Sequence, residues 1–467
     1  MTRKRLSRRS LLKVGIVTSV GGLAGCVERI ERQLPQDVTR QGSTTPDGGG
    51  TPETTPAATG ITGEEPPSLS GWPHTQYDPT NRGHKPNTTG PTGELTVEWS
   101  QTLATRAEGE DSAGDPGGGD GVAIRDGVVF ATNGGRTVHA LRTDDGTEVW
   151  RRQLSPTERR NKLSLAAPAT KHGLVYLSTG DNGRMVALDG ETGETVWEHE
   201  SAEPEERYRD EKPTIHVDSV PTVADGSVYF GDDWNNVYAV DAETGRQEWI
   251  NREMEKDRPA IRNQLAYRDG VVYYPNRAFD ASSGETLWRT DQAANGQYEG
   301  SPTVFGGYLW IPQSLAMRQL DIETGEAMTT YGYETDFRYT GSVCAGNGHI
   351  YTTHRNDGGV TGIRVDTGAL GEWQESPGGR TWREAVPTWN RVLRGGLGRT
   401  RPVLVDGVLY VTTFDRDRSL LYGLDAMSGE TVSSIEANAR LSGYLAVVEN
   451  TVYVTDYWGT CYAITEA

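Results

Sequence analysis

Residues 186–198 read VALDGETGETVWE. Val186 and Leu188 alternate with Ala187, as in a half-buried strand. Asp189-Gly190-Glu191-Thr192-Gly193 is turn chemistry: the carboxylate can accept backbone N–H bonds, and Gly193 supplies the positive φ that closes the turn. Thr195, Val196 and Trp197 suit a second strand, antiparallel to the first. The hairpin recurs as LRTDDGTEVW (141–150), AVDAETGRQEW (239–249), AFDASSGETLW (278–288), QLDIETGEAM (319–328), the degraded RVDTGALGEW (364–373) and GLDAMSGETV (423–432). Trp99, Trp150, Trp197, Trp249, Trp288 and Trp373 fill the closing position, where an aromatic of this size is expected to pack between repeats.

A second unit alternates with the first: a Gly-centred turn followed by alternating apolar residues. Examples are DGVVFAT (126–132), HGLVYLST (172–179), DGSVYFGD (225–232) and DGVLYVTT (406–413). The spacing is irregular, about 40–60 residues, in the range of propeller blades. The Gly-turn unit occurs eight times and the Asp-turn hairpin seven times, because the chain stops at CYAITEA (461–467). The missing strand is at the other end, where TGELTVEW (92–99) reads as an outer strand with no inner strands before it. A ring explains both anomalies and removes two exposed sheet edges. The expectation is an all-β, eight-bladed β-propeller of four-stranded antiparallel blades over residues 71–467, its last blade completed by the N-terminal strand.

The pattern Ala/Val-Leu/Val-Asp-x-x-Thr-Gly-x-x-x-Trp resembles the pyrroloquinoline-quinone (PQQ)-type repeat propellers, including exported lipoprotein members from halophilic archaea. The resemblance implies two functions. One is a non-catalytic surface module for binding or assembly, on the pattern of the family's scaffold propellers. The other is a dehydrogenase of alcohols or sugars with PQQ and Ca²⁺ on the propeller axis. In the dehydrogenases a Glu and an Asn hold the metal, an Asp is the base and an Arg meets the quinone. Glu299, Asn263, Asp218 and Arg399 are of those types and fall just ahead of inner strands, and oxygen ligands suit Ca²⁺. His216 and Gln264 share that placement. The adjacent cysteines of many such enzymes are absent. No zinc spacing, phosphate loop or nucleophile elbow is present. The scaffold reading leads.

Charge narrows the partners. The formal net charge is −19, and only seven of the 46 basic residues are Lys. Residues 1–25 hold six basic residues and no acid, so their removal leaves 40 basic against 65 acidic residues, a net −25. Such a surface repels phosphates, so nucleic acid is excluded as a partner, and it fits solubility in strong salt. Ser7-Arg8-Arg9-Ser10-Leu11-Leu12-Lys13 resembles a twin-arginine export signal, with 14–24 as its apolar core. Leu23-Ala24-Gly25-Cys26 resembles a lipobox, which makes Cys26 the lipidated residue and anchors the chain to the outer face of the membrane. Residues 27–70 contain a Thr/Pro/Gly-rich tether unable to bury a core. Asn87-Thr88-Thr89 is a glycosylation sequon as much as a polar loop, and Trp72 is expected to dock on the ring. Cys344 and Cys461 lie in non-neighbouring repeats and are expected to be buried, unpaired thiols. The chain is expected to be monomeric.

Binding is expected on the rim shared by the second-to-third-strand hairpins and the inter-blade loops. Trp234 and Trp458 fall at turn positions there rather than at the repeat position. The longest inter-blade segment, 374–401, brings Trp382, Trp389, Arg383, Arg391, Arg394, Arg399 and Arg401 into an otherwise acidic chain. Arg forks match carboxylates and phosphates, though acidic neighbours can equally occupy them. Trp234, Trp382, Trp389, Trp458 and Arg399 are the candidate anchors for a protein or cell-envelope partner.

Overall fold

A computed structural model describes residues 71–103, 121–132, 137–154, 167–179, 183–202, 217, 219–253, 264–290, 300–313, 316–332, 343–354, 358–365, 370–375, 381–385, 387–397, 400–415 and 418–467. The export signal, Cys26 and the tether lie outside that set.

The described residues are all β, with no helix. Four-stranded antiparallel sheets follow one another along the chain. Strands Val122–Arg125, Val128–Thr132, Thr137–Arg142 and Glu148–Gln153 form the first, and Ala169–Lys171, Leu174–Ser178, Arg184–Asp189 and Thr195–Glu200 the second. The third runs from Thr222–Ala224 to Gln247–Asn251 and the fourth from Ala266–Arg268 to Thr286–Arg289. Later, Val403–Val405 leads a sheet ending in Thr431–Ala437. The last three strands, Leu441–Val448, Thr451–Asp456 and Thr460–Glu466, take Gly93–Thr102 as their antiparallel neighbour, with Val97 opposite Ile464 and Thr102 opposite Thr460.

The Asp turns are built as their sequence implies. Asp189 Oδ1 accepts the N–H groups of Glu191 and Thr192 at 3.0 and 2.8 Å and the Thr192 hydroxyl at 2.9 Å. Those bonds, led by the Thr192 backbone, hold the carboxyl below its ordinary range. Gly193 closes the turn at φ +72°. A β-carbon there would sit 2.6 Å from the Trp150 ring, because at six joints the tryptophan of one sheet lies flat on the turn glycine of the next. The pairs are Trp99 on Gly146, Trp150 on Gly193, Trp197 on Gly245, Trp249 on Gly284, Trp288 on Gly325 and Trp389 on Gly429. Each indole N–H also donates to a carbonyl of that turn, from 2.8 Å at Ala281 to 3.0 Å at Ala242 and Ile322. Glycine is required here by both the positive φ and the ring stacked against it.

Two expectations are corrected. Trp373 does not occupy the repeat position. It belongs to Leu370–Glu375, which pairs with Thr381–Ala385; that hairpin extends the sheet ending in Ala327–Gly332 through a parallel contact of Tyr331 with Arg383. The outer strand beside Gly359–Arg364 is instead Pro387–Val392. Trp389 is therefore the packing tryptophan, 9% exposed and bonded to the Ala426 carbonyl at 2.9 Å, and not a rim anchor. The intervening hairpin hid this, because it separates the degraded turn from its true closing strand.

Residues 71–85 form a buried belt across the inner strands, a role their sequence does not announce. Trp72 is fully buried and exchanges both backbone bonds with Ile124. Thr170, Tyr267, Val304, Ala345 and Leu404 then donate their N–H groups to the carbonyls of Pro73, Pro79, Thr80, Arg82 and Gly83, at 2.7–2.9 Å. His74 Nε2 meets the Val223 backbone, and His84 and Lys85 pair in parallel with Leu404 and Val405. Every inner-strand partner stands two residues before its Gly-turn's left-handed residue, among them Asp126, His172, Asp225, Asp269 and Asp406. The belt thus satisfies the free edges of seven successive sheets, which would otherwise leave buried N–H groups unpaired. Lys85 Nζ donates to the Gly71 carbonyl at 2.9 Å, so the ends of the belt meet.

Candidate functional site

The rim turns of the third and last sheets are built alike. Asp232 Oδ1 accepts the N–H groups of Trp234 and Asn236, both at 2.9 Å, and its Oδ2 accepts the Tyr238 hydroxyl at 2.8 Å. Asp456 Oδ1 accepts the N–H groups of Trp458 and Thr460, both at 2.8 Å, and its Oδ2 accepts the Tyr462 hydroxyl at 2.9 Å. Both aspartates are buried, and burial pushes the Asp232 carboxyl above its ordinary range despite those bonds. The result is a tryptophan held on a rigid turn in each case. Trp234 is half-buried and Trp458 is 50% exposed. Beside Trp458, the Arg440 guanidinium lies between the Phe414 and Tyr457 rings, 4.7 and 4.1 Å from their centroids.

A second polar group lies just ahead of the inner strands. Three residues ahead of the belt contacts at Ile124, Thr170, Val223, Tyr267, Val304 and Leu404 stand Gly121, Ala167, Val220, Gln264, Ser301 and Arg401, and Tyr444 holds the matching place ahead of the last sheet's Gly-turn. Gln264 is fully buried, and neither amide atom has a hydrogen-bond partner. Arg401 stacks on the Tyr444 ring at 4.4 Å, and its buried Nη1 is unpartnered. These are donors suited to carboxylate oxygens, but the positions just named hold no carboxylate for a metal. Among the described residues no group of three or more His, Cys, Asp and Glu could hold a metal ion. Asp218, Asn263, Glu299 and Arg399, together with His216, lie outside the described residues, as does the side chain of Trp382.

The basic segment 374–401 disperses in the fold. Arg401 stacks on Tyr444, Arg394 lies 3.8 Å from Glu436, and Arg391 sits on an outer strand. Cys344 and Cys461 are buried and unpaired, and burial raises both thiols, Cys461 to about 12. Asn87 is exposed. No described helix is long and apolar enough to cross a membrane.

The comparisons with known proteins agree with this architecture. The family model described as outer membrane protein assembly factor BamB, a PQQ-type repeat, matches residues 91–249, 211–374 and 371–467. An alcohol dehydrogenase (quinone) dehydrogenase subunit of Gluconacetobacter polyoxogenes is 25% identical over 77% of this chain and 43% of its own length. The outer membrane protein assembly factor BamB of Yersinia pestis is 27% identical over 40% of this chain and 47% of its own. The chain thus spans less than half the length of these curated relatives. The quinohemoprotein alcohol dehydrogenase of Comamonas testosteroni superimposes with a TM-score of 0.61 at 15% identity, over 86% of this chain and 82% of that structure, a likeness of fold alone. By its repeats, its tryptophan-on-glycine joints and the family match along residues 91–467, the chain belongs to the BamB-like PQQ-repeat family.

Proposed function

We propose that this protein is a non-catalytic binding or assembly module, an eight-bladed ring closed by strand Gly93–Thr102 that engages a protein or cell-envelope partner on its rim. The observation that carries the reading is the pair of matching Asp232 and Asp456 turns, each holding a tryptophan in a fixed position. Interface energy concentrates in a few aromatic and Arg anchors, and a side chain already fixed by its turn loses less entropy on binding. Trp458, with the sandwiched Arg440 beside it, is the principal anchor, and Trp234 the second. The test is crosslinking and pull-down from cells carrying the intact protein. Trp458→Ala should reduce capture of a reproducible partner at least tenfold while leaving the melting temperature nearly unchanged. Equal capture by wild type and Trp458→Ala would refute the assignment.

The dehydrogenase reading draws on the quinone-dependent relatives and on the unpartnered Gln264 and Arg401 groups at the axis. A bound quinone would accept two electrons from an alcohol. Arg401 and Gln264 would donate hydrogen bonds to its carboxylate and carbonyl oxygens, with Asp218, Asn263, Glu299 and Arg399 the candidates for base, metal and quinone contacts. Purified protein given PQQ and Ca²⁺ should then hold a stoichiometric chromophore, and Arg401→Gln should lose it. Absence of the chromophore leaves the binding module as the function. Export by the twin-arginine route and lipid anchoring through Cys26 complete the proposal: Cys26→Ser should shift the protein from the membrane fraction to the medium or stall its processing.

A further inference from the structure

The belt has a second face, at the end of the inner strands opposite Gln264 and Arg401. There a cavity of about 620 Å³ opens between the belt and the Gly-turns of the first four sheets. Pro73, Pro79, Val223 and Tyr267 contribute apolar surface, and the charged residues stand around them.

Most of those charges are already matched. Arg82 lies 3.4 Å from Asp78, Arg125 lies 2.9 Å from Asp126 and Arg268 lies 3.0 Å from Asp269. Two opposite charges remain on adjacent sheets. Lys171 has no carboxylate within ion-pair distance among the described residues, and Asp225 has no cation. Asp225 accepts a short hydrogen bond from the Tyr267 hydroxyl, which fixes the carboxylate without neutralising it. His74 also lines the cavity. It is fully buried beside Lys171.

A lone carboxylate ligand would answer Lys171 but be repelled by Asp225, and a lone amine would meet the converse problem. A zwitterion satisfies both, and the walls reward an apolar body. We propose that this cavity binds a small apolar α-amino acid, its carboxylate on Lys171, its ammonium on Asp225 and its side chain against the proline, valine and tyrosine wall. The site is separate from the rim and from the axial donors, and it does not depend on either reading of the function.

The experiment is calorimetric titration of the full chain with three probes of one shape: L-phenylalanine, 3-phenylpropionate and phenethylamine. Phenylalanine should bind and raise the melting temperature, and each singly charged analogue should bind at least about tenfold more weakly, since it leaves one of the two charges unanswered. Lys171→Gln should lose at least about tenfold toward phenylalanine yet hold phenethylamine as wild type does. Asp225→Asn, chosen because Asp225 has φ +44° and Asn tolerates that backbone, should show the converse with 3-phenylpropionate. Arg125→Gln, at an already paired cation, should bind like wild type. No binding of phenylalanine, equal binding of the three probes, or wild-type affinity in both charge variants would overturn the proposal.

Discussion

The contact of Trp389 with Gly429 is the sharpest test of how neighbouring sheets are joined. Trp389→Ala removes a buried ring and its bond to the Ala426 carbonyl, and large-to-small changes of this kind cost about 3–5 kcal/mol. Gly429→Ala acts twice. At φ +72° a β-carbon costs about 1–2 kcal/mol. The same carbon would also stand 2.5 Å from Cε3 and 2.7 Å from Cδ2 of Trp389, an overpacking worth about 1–3 kcal/mol more. In a Trp389→Ala background the ring is gone, so only the backbone cost remains. The double variant should therefore be less destabilised than the sum of the singles by about 1–3 kcal/mol. Urea titrations of the four proteins followed by circular dichroism measure the cycle. Additivity within about 0.5 kcal/mol would mean the ring does not rest on the glycine, and the reasoning would fail for the five matching joints as well.

Two further outcomes follow from the belt and the turns. Asn81 donates to the Leu265 and Pro302 carbonyls, both at 3.0 Å, so Asn81→Ala should cost about 1–3 kcal/mol by stranding buried acceptors, whereas Asn87→Ala at the exposed sequon should leave urea midpoints unchanged. Asp189, Asp241, Asp280 and Asp425 are all held below the ordinary carboxylate range, by hydrogen bonds from their own turns. A depressed folded-state pKa contributes stability above the unfolded value and loses it as the pH falls through the folded one. Asp189→Asn should therefore narrow the gap between urea midpoints at pH 7 and pH 3; an unchanged gap would remove this turn from the acid response. Asp78 and Asp232 are raised by burial and act in the opposite sense, contributing stability at low pH that is lost on going to neutrality.

What the sequence determined by itself is local and periodic. A repeated Asp-x-x-Thr/Ser-Gly turn dictates its own hydrogen bonds, because the acceptor, the donors and the positive-φ residue all lie within five positions. The two-residue alternation likewise dictates which side chains face inward, and Trp72 was legible as a docked aromatic. Tertiary structure decided whatever depends on chain returning from far away. Spacing pointed to Trp373 as the closing residue and left Trp389 for the rim; strand pairing chose Trp389 because the hairpin of 370–385 joins the preceding sheet instead. Trp234 and Trp458 were legible as turn residues, but only the buried Asp232 and Asp456 show why those turns are rigid. The belt was least legible of all. Its partners Ile124, Thr170, Val223, Tyr267, Val304, Ala345 and Leu404 follow no common residue type, because backbone groups make most of the contacts and backbone is common to every sequence. Lys171 and Asp225, about 50 positions apart in the chain, become neighbouring unmatched charges only when the inner strands stand side by side around that belt.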